Sequence, residues 1–231
     1  MKALVSLSGG VDSTTCLALA VKKHGAENVS AVSFTYGQKL DCELKSAAKI
    51  AEYFKVKHYV LNLNDVFQFG NCALLKKSTQ SVQHRSYKEQ AKDKETISSY
   101  VPFRNGVFLS VVASVALSLY PADETEVYIG AQANDSIDNT YADCSLEFTH
   151  AMDKAIQFGT YSKVRLVAPI VGMNKAQVVK IGLSMNVPYE LTWTCYEGGE
   201  KPCGKCAACI DRIEAFVNNG TKDPVEYAKE E

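Results

Sequence analysis

The sequence carries almost no net charge: 25 Lys and Arg stand against 26 Asp and Glu, a formal charge of -1 at pH 7. It therefore lacks the long-range field that would draw in nucleic acid or an anionic membrane, and any polyanion contact has to be built locally. Long apolar runs are missing too. The longest, from Gly106 to Leu119, is interrupted by Ser110, Ser114 and Ser118 and falls short of the ~20 residues that a bilayer span needs. It reads as a helix buried on most sides, and no membrane partner is expected. Met1-Lys2-Ala3-Leu4-Val5 leads straight into a strand pattern, with no basic leader or small-residue cleavage site, so a cytoplasmic location is expected. Eight cysteines in 231 residues are too sparse for a disulfide scaffold. There is no internal repeat.

What is present is alternation. Ala3 to Leu7 is a short apolar run of the kind that fills a parallel strand buried on both faces. A glycine-rich turn follows, then a helical pattern from Thr14 to Lys23 and a second strand from Val29 to Phe34. Leu44, Ala47, Ala48, Ala51 and Phe54 recur at helical spacing before a third strand over Val56 to Leu63. The Asn105 to Tyr120 helix stops at Pro121 and precedes a strand over Glu126 to Ala131. A helical face on Leu146, Met152, Ala155 and Ile156 precedes a fifth strand, Val164 to Ala168. Asn174 and Gln177 have capping-box spacing ahead of Val178, Ile181 and Leu183.

Strands alternating with helices predict an α/β fold, a doubly wound, Rossmann-like parallel sheet whose ligands bind beyond the carboxyl ends of the strands. The length suits one substantial core. An α/β domain over residues 1–188 is expected, then a four-cysteine segment with a terminal helix over 189–219, and a polar tail over 220–231, either a short helix or frayed. The polar stretch at about 76–100 has no usable periodicity and is expected to be a mobile lid or a poorly ordered insertion.

Two motifs carry chemistry. The first is Ser8-Gly9-Gly10-Val11-Asp12-Ser13, set between a strand and a helix. Glycines there let successive N–H groups point into one concavity, and the helix adds its N-terminal dipole, an arrangement that binds phosphate. The hydroxyls of Ser8, Ser13 and Thr14 offer further donors, and Asp12 is placed to orient the loop or to help hold Mg2+. An ordinary glycine turn into a capped helix is the plainer alternative. Neither the lysine of a Walker loop nor Gly-x-Gly-x-x-Gly is present, so terminal phosphoryl transfer is not favoured. The second motif is Cys195, Cys203, Cys206 and Cys209, four thiols within fifteen residues. Four soft ligands with no place for water suggest a closed structural Zn2+ site. An iron–sulfur cluster is the competitor, but the Cys-Pro that ends bacterial ferredoxin runs is replaced by Ile210-Asp211-Arg212 after Cys209. Cys16, Cys42, Cys72 and Cys144 read as small core residues.

The loop resembles that of the N-type ATP pyrophosphatases. With Phe34-Thr35-Tyr36-Gly37-Gln38, Val101-Pro102-Phe103-Arg104-Asn105, Tyr141-Ala142-Asp143-Cys144, Glu147-Phe148 and Leu191-Thr192-Trp193-Thr194-Cys195-Tyr196, nearly the whole chain resembles the 7-cyano-7-deazaguanine synthase family of queuosine precursor synthesis. The resemblance implies an adenine-nucleotide-hydrolase-like fold and an ATP-dependent ligase. Such an enzyme adenylates the carboxylate of 7-carboxy-7-deazaguanine, lets ammonia form the amide, then activates and dehydrates that amide to the nitrile. It assigns ATP contacts to Leu7, Ser8, Gly9, Gly10, Val11, Asp12, Ser13, Thr14, Thr15, Cys16 and Leu17, with Arg104, Lys175 and Asp12 in catalysis. Tyr36, Gln38, Arg104, Asn105, Asp135, Asp143 and Glu147 are the implied substrate contacts; the three carboxylates suit the guanine-like edge, although Asp143 also reads as a helix cap and Tyr36 as core. The loop from Asn134 to Cys144 departs from the family pattern by an extra residue and a lost proline. A homodimer is a family expectation, and no direct nucleic-acid contact is expected. Two rival readings are a tRNA thiolase or lysidine-type enzyme, which would need a basic surface, and a zinc-containing nucleic-acid-binding regulator, which would leave the phosphate loop unexplained.

Overall fold

A computed structural model describes residues 1–93, 96–132 and 141–229. Its elements run β1 (Lys2–Ser6), α1 (Val11–His24), β2 (Val29–Thr35), α2 (Cys42–Tyr53), β3 (Lys57–Asn62), α3 (Tyr87–Ala91), α4 (Arg104–Leu119), β4 (Thr125–Tyr128), α5 (Leu146–Gly159), β5 (Val164–Val167), α6 (Lys175–Ser184) and α7 (Ala207–Val217). The five strands pair in parallel in the order β3-β2-β1-β4-β5. Successive side chains of a strand point to opposite faces, and the two apolar cores follow that rule. Ala3, Val5 and Leu7 join α1, α2, α6 and α7 in one core, whereas Leu4, Val32 and Phe34 join α4 and α5 in the other. The continuous apolar runs are thereby explained: both faces of the inner strands are covered. The chain winds outward from β1 to β3, then returns to the other side of β1 as β4, so the strand order reverses at β1/β4. Ligand crevices of such sheets open at that point.

The fold adds detail to three local expectations. Helix α4 buries Leu109, Val112, Ala113 and Ala116 at helical spacing, but Ser110, Ser114 and Ser118 are exposed; the serines that interrupt the apolar run form a solvent face. The stretch after Lys76 contains α3, which carries a complete capping box between Ser86 and Glu89 and buries Gln90. Five residues are too few for periodicity to register, and Ser-x-x-Glu was the available signal. This stretch is laid over the cysteine segment, where Tyr87 Oη lies 2.8 Å from Tyr196 Oη and His84 Nε2 2.8 Å from Glu197 Oε1.

The C-terminal stretch is neither helical nor frayed among the described residues 219–229. Its Asp223 accepts Arg212 Nε at 2.7 Å and Arg212 Nη2 at 2.9 Å, and Tyr227 Oη donates to the same carboxylate at 2.6 Å. Arg212, only 2% exposed, also donates to Thr192 Oγ1 at 2.7 Å and Tyr189 O at 3.0 Å. A planar guanidinium with its donors met in this way suits burial where a lysine would not. It ties α7, the C-terminal stretch and the segment at 189–194 together. Among the described residues, no helix is long and apolar enough to cross a membrane.

Removing one partner of a buried ion pair strands the other. Arg212→Met is expected to lower the unfolding free energy by about 3–5 kcal/mol, and adding Asp223→Leu should restore part of that loss. Urea unfolding checks both, and a loss of under ~1 kcal/mol for the single variant would contradict this account of the buried pair.

Candidate functional site

The β1–α1 loop sits where β1 meets β4. Gly9 has φ +85°, and a Cβ there would lie 2.3 Å from Glu43 O and 2.8 Å from Ala47 N, so no side chain fits against α2. Gly130, just beyond β4, approaches the start of α1 as closely: a Cβ would stand 2.8 Å from Ser13 N. Trp193 N donates to Gly9 O at 2.9 Å and brings the cysteine segment onto the loop. The first bond of α1 runs from Thr14 N to Gly10 O at 3.1 Å. The amides of Val11, Asp12 and Ser13 precede it, and amides at that position have no acceptor within their own helix. Ser13 Oγ lies 3.0 Å from Ser8 Oγ and accepts Ser8 N at 3.1 Å, which holds the loop in shape.

Leu7, Ser8, Gly10, Val11, Asp12 and Ser13 line one large cleft. Gly9 is not among its lining residues, and neither are the buried Thr14, Thr15, Cys16 and Leu17. Helical periodicity turns them inward. Thr14 Oγ1 donates to Gly10 O at 2.7 Å, Thr15 Oγ1 to Val11 O at 2.9 Å, and burial pushes the Cys16 thiol far above its ordinary range. The expected Thr14 donor is thus spent within the helix.

Lys175, at the first turn of α6 and 8% exposed, bridges two acids. Its Nζ donates to Asp12 Oδ2 at 2.5 Å and stands 3.7 Å from Asp211 Oδ2. Asp12 Oδ1 is buried with no hydrogen-bond partner among the described residues. An unmet carboxylate oxygen beside the helix N-terminus is costly unless a ligand or cation completes it, so this corner fits a hard cation that also contacts phosphate oxygens.

The opposite wall is aromatic. Arg104 opens α4 behind Phe103, which is held left-handed at φ 53° with its ring filling the place of the missing Gly106 side chain. Arg104 Nη1 donates to Tyr36 Oη at 3.3 Å, and its guanidinium lies 5.6 Å from the Tyr36 ring centre and 6.0 Å from that of Phe108. Burial works against its charge, but Tyr36 and Glu43 nearby hold the guanidinium above its ordinary range. Tyr36 is buried, and burial, then the Glu43 charge, push its phenol up. Tyr100, Tyr141, Trp193 and Tyr196 continue the wall.

The expected polar contacts divide. Asn105 N donates to Asp143 Oδ2 at 2.9 Å, and Asn105 Nδ2 to Asp143 O at 3.0 Å. Both residues line the cleft, yet the Asp143 carboxylate caps α4, as its plainer reading had it. Gln38 accepts Tyr36 N at 2.7 Å and donates to Phe34 O at 3.1 Å, so its amide braces the loop it stands on. Glu147 is exposed on the first turn of α5, outside the cleft lining, where it complements the helix dipole. Asp135 lies outside the described residues. Glu43, Asp211 and Gly130 line the cleft without having been singled out. Their signal was positional, since all three sit where a strand end or helix start faces the sheet's carboxyl edge.

The sulfur atoms of Cys195, Cys203, Cys206 and Cys209 all lie within 4.8 Å of one another and can hold a metal ion. Cys195 Sγ accepts Glu197 N and Cys203 N, each at 3.3 Å, and Cys203 Sγ accepts Cys206 N at 3.3 Å. The Cys206 and Cys209 S–H groups, then those backbone donors, draw the Cys195 thiol well below its usual range, while that same bond pushes Cys206 up to about 12. Thiols that compete for protons in this way give them up to a soft cation.

The chain matches the model of a family described as queuosine biosynthesis protein QueC over residues 2–220. It is 44% identical to the 7-cyano-7-deazaguanine synthase of Caldicellulosiruptor saccharolyticus, covering 98% of this chain and 96% of the relative. Identity to the enzyme of the same name from Thermoplasma acidophilum is 39%, over 99% and 92%. For the one from Oceanobacillus iheyensis it is 38%, over 98% of both. Among solved structures, an NMN synthetase from Francisella tularensis shares the fold with a TM-score of 0.50 at 15% identity, covering 96% of this chain and 78% of that one. Relatives alike along almost their whole length and a family match from residue 2 to 220 place this chain in the QueC family of queuosine biosynthesis proteins.

Proposed function

We propose that this protein converts 7-carboxy-7-deazaguanine and ammonia to 7-cyano-7-deazaguanine, using two ATP and releasing two AMP and two pyrophosphate. One observation carries the reading: the open amides of the β1–α1 loop and Lys175 face the same cleft as Arg104 and the aromatic wall. Phosphates and a planar heterocycle can therefore be held side by side. Its likeness to relatives bearing that enzyme's name supports it.

In this reading the substrate carboxylate attacks the α-phosphorus of ATP and pyrophosphate leaves, so that a poor leaving oxygen becomes part of AMP. Ammonia adds to the activated carbonyl carbon and AMP departs, leaving the amide. The amide oxygen is adenylated in turn, and loss of AMP and protons yields the nitrile. The amides of Val11, Asp12 and Ser13 and the Lys175 ammonium offset charge on the phosphates, and they are fixed before the reaction begins. Arg104 acts at the opposite wall on the growing negative charge or the substrate ring. The buried aromatic side chains keep water from the acyl adenylate. Asp12, with its unmet Oδ1, would hold Mg2+, which supplies further charge neutralisation on the phosphates.

The cysteine site is assigned to Zn2+. With Zn–S bonds of about 2.3 Å, a tetrahedron has sulfur–sulfur edges of roughly 3.8 Å, which fits within the 4.8 Å span. A four-iron cube would have to drive the sulfurs apart. The metal's role is architectural, since Trp193 and Tyr196 on the cleft wall belong to the segment it closes. A cytoplasmic, homodimeric enzyme acting on small molecules and not directly on nucleic acid completes the proposal.

Incubation with ATP, magnesium, ammonia and the carboxylate should yield AMP, pyrophosphate and the nitrile by mass spectrometry. AMP formation only when tRNA is supplied would overturn the reading. Lys175→Ala should lower kcat by about 10²–10³-fold, and wild-type turnover in a folded variant would remove the lysine from the mechanism. Cys206→Ser should lower zinc content and melting temperature together; unchanged stability in the zinc-depleted variant would argue against a structural metal.

A further inference from the structure

Among the described residues, four carboxylates line the cleft: Asp12, Glu43, Asp143 and Asp211. Three are engaged by protein groups. Asp12 holds Lys175, Asp211 stands 3.7 Å from the same ammonium, and Asp143 accepts the Asn105 amide. Glu43, in the first turn of α2, receives no hydrogen bond from any described residue, although it is half-buried. Burial pushes its carboxyl above the ordinary range, and the Arg104 charge opposes that shift. No ion pair joins Glu43 to Arg104 among the described residues, even though each shapes the other's proton affinity. Glu43 also borders a small recess with Tyr36, Gln38, Leu40 and Tyr196, two of which, Tyr36 and Tyr196, also line the main cleft.

An acceptor pair and a cationic donor that face one cleft without meeting are complementary to something between them. The six-membered ring of a guanine-type heterocycle presents, in order, a carbonyl oxygen, a ring N–H and an exocyclic amino group. A carboxylate accepts from two adjacent N–H donors in parallel, and a guanidinium donates to the neighbouring carbonyl. Tyr36 and Phe108, which flank Arg104, offer faces on which a planar bicycle can stack. Of the carboxylates expected to read this edge, Asp143 is spent on α4 and Glu147 lies outside the cleft.

We infer that Glu43 reads the ring N–H and 2-amino group of the substrate while Arg104 holds its ring carbonyl, making this pair the determinant of specificity for a guanine-type ring. The inference rests on the reading given under Proposed function and adds the identity of the recognition residue. It differs from a merely supporting role for Glu43, in which the carboxylate only steadies the Arg104 charge. A supporting residue would shift activity on every substrate alike.

The test is a ratio of kcat/KM values for 7-carboxy-7-deazaguanine and for its analogue lacking the 2-amino group. Both are measured on one preparation, so the fraction of folded enzyme cancels. Wild-type protein should favour the full substrate by about 100-fold or more, because the analogue leaves a half-buried carboxylate oxygen unmet. Glu43→Gln should bring that ratio to within ~5-fold and raise KM for the deazaguanine at least ~10-fold, with KM for ATP unchanged. Glu43→Asp, which keeps the charge but withdraws it by one methylene, should fall between the two. A wild-type ratio retained in Glu43→Gln overturns the inference, and its loss in Asp135→Asn alone would return the role to Asp135. Wild-type protein that turns over neither compound refutes the functional reading itself, and this assignment with it.

Discussion

The molecule depends on how closely three backbone segments approach at the end of β1. Gly9 lies against α2, Gly130 against the start of α1, and Trp193 N reaches Gly9 O. Neither glycine tolerates a Cβ, and the three approaches together hold the start of α1 at the edge of the cleft. Strand β1 fixes where the loop begins, β4 limits how far it can move, and the cysteine segment covers it. A helix N-terminus alone is a weak anion site. Held from three sides, it becomes part of a preorganised wall in which the amide dipoles need not reorganise when charge develops.

Around that constraint the chain divides labour by chemistry. The side beside the β1–α1 loop is polar: the first amides of α1, the Asp12–Lys175–Asp211 row and the unmet Asp12 Oδ1. The far side is aromatic, with Arg104 and Glu43 set apart in it. The C-terminal elements serve both halves. Arg212 binds the Tyr189–Thr192 segment to Asp223, and the four cysteines close the loop that carries Trp193 and Tyr196. A buried guanidinium and a four-cysteine cluster able to hold a metal ion thus meet in a segment with few apolar residues of its own.

Much of this was legible in the sequence. The inner strands announce themselves because burial on both faces leaves no room for polar residues, and Leu4 and Val5 show it. The tight turn after β1 was legible because its close approach to α2 demands glycine, and the four-cysteine cluster because its members are closely spaced in the sequence. What escaped depended on tertiary neighbours. Asp143 reads in the sequence both as a substrate contact and as a helix cap; that the helix it caps is α4, across 38 residues of sequence, is a pairing no local pattern encodes. Thr14 was counted as a donor until the helix turned it to Gly10 O. Glu43 looks like any glutamate on a helix's first turn; only the fold brings it into the cleft that Arg104 also lines. Asp223 was read as tail because its partner, Arg212, is recognisable only by burial.

The central claim is that this cleft activates a carboxylate by joining it to AMP. The direct measurement uses 7-carboxy-7-deazaguanine labelled with ¹⁸O in its carboxylate and follows the label into AMP by mass spectrometry. The account predicts AMP that carries ¹⁸O from the substrate, formed along with unlabelled pyrophosphate. Unlabelled AMP, or label appearing in phosphate or pyrophosphate, would contradict it.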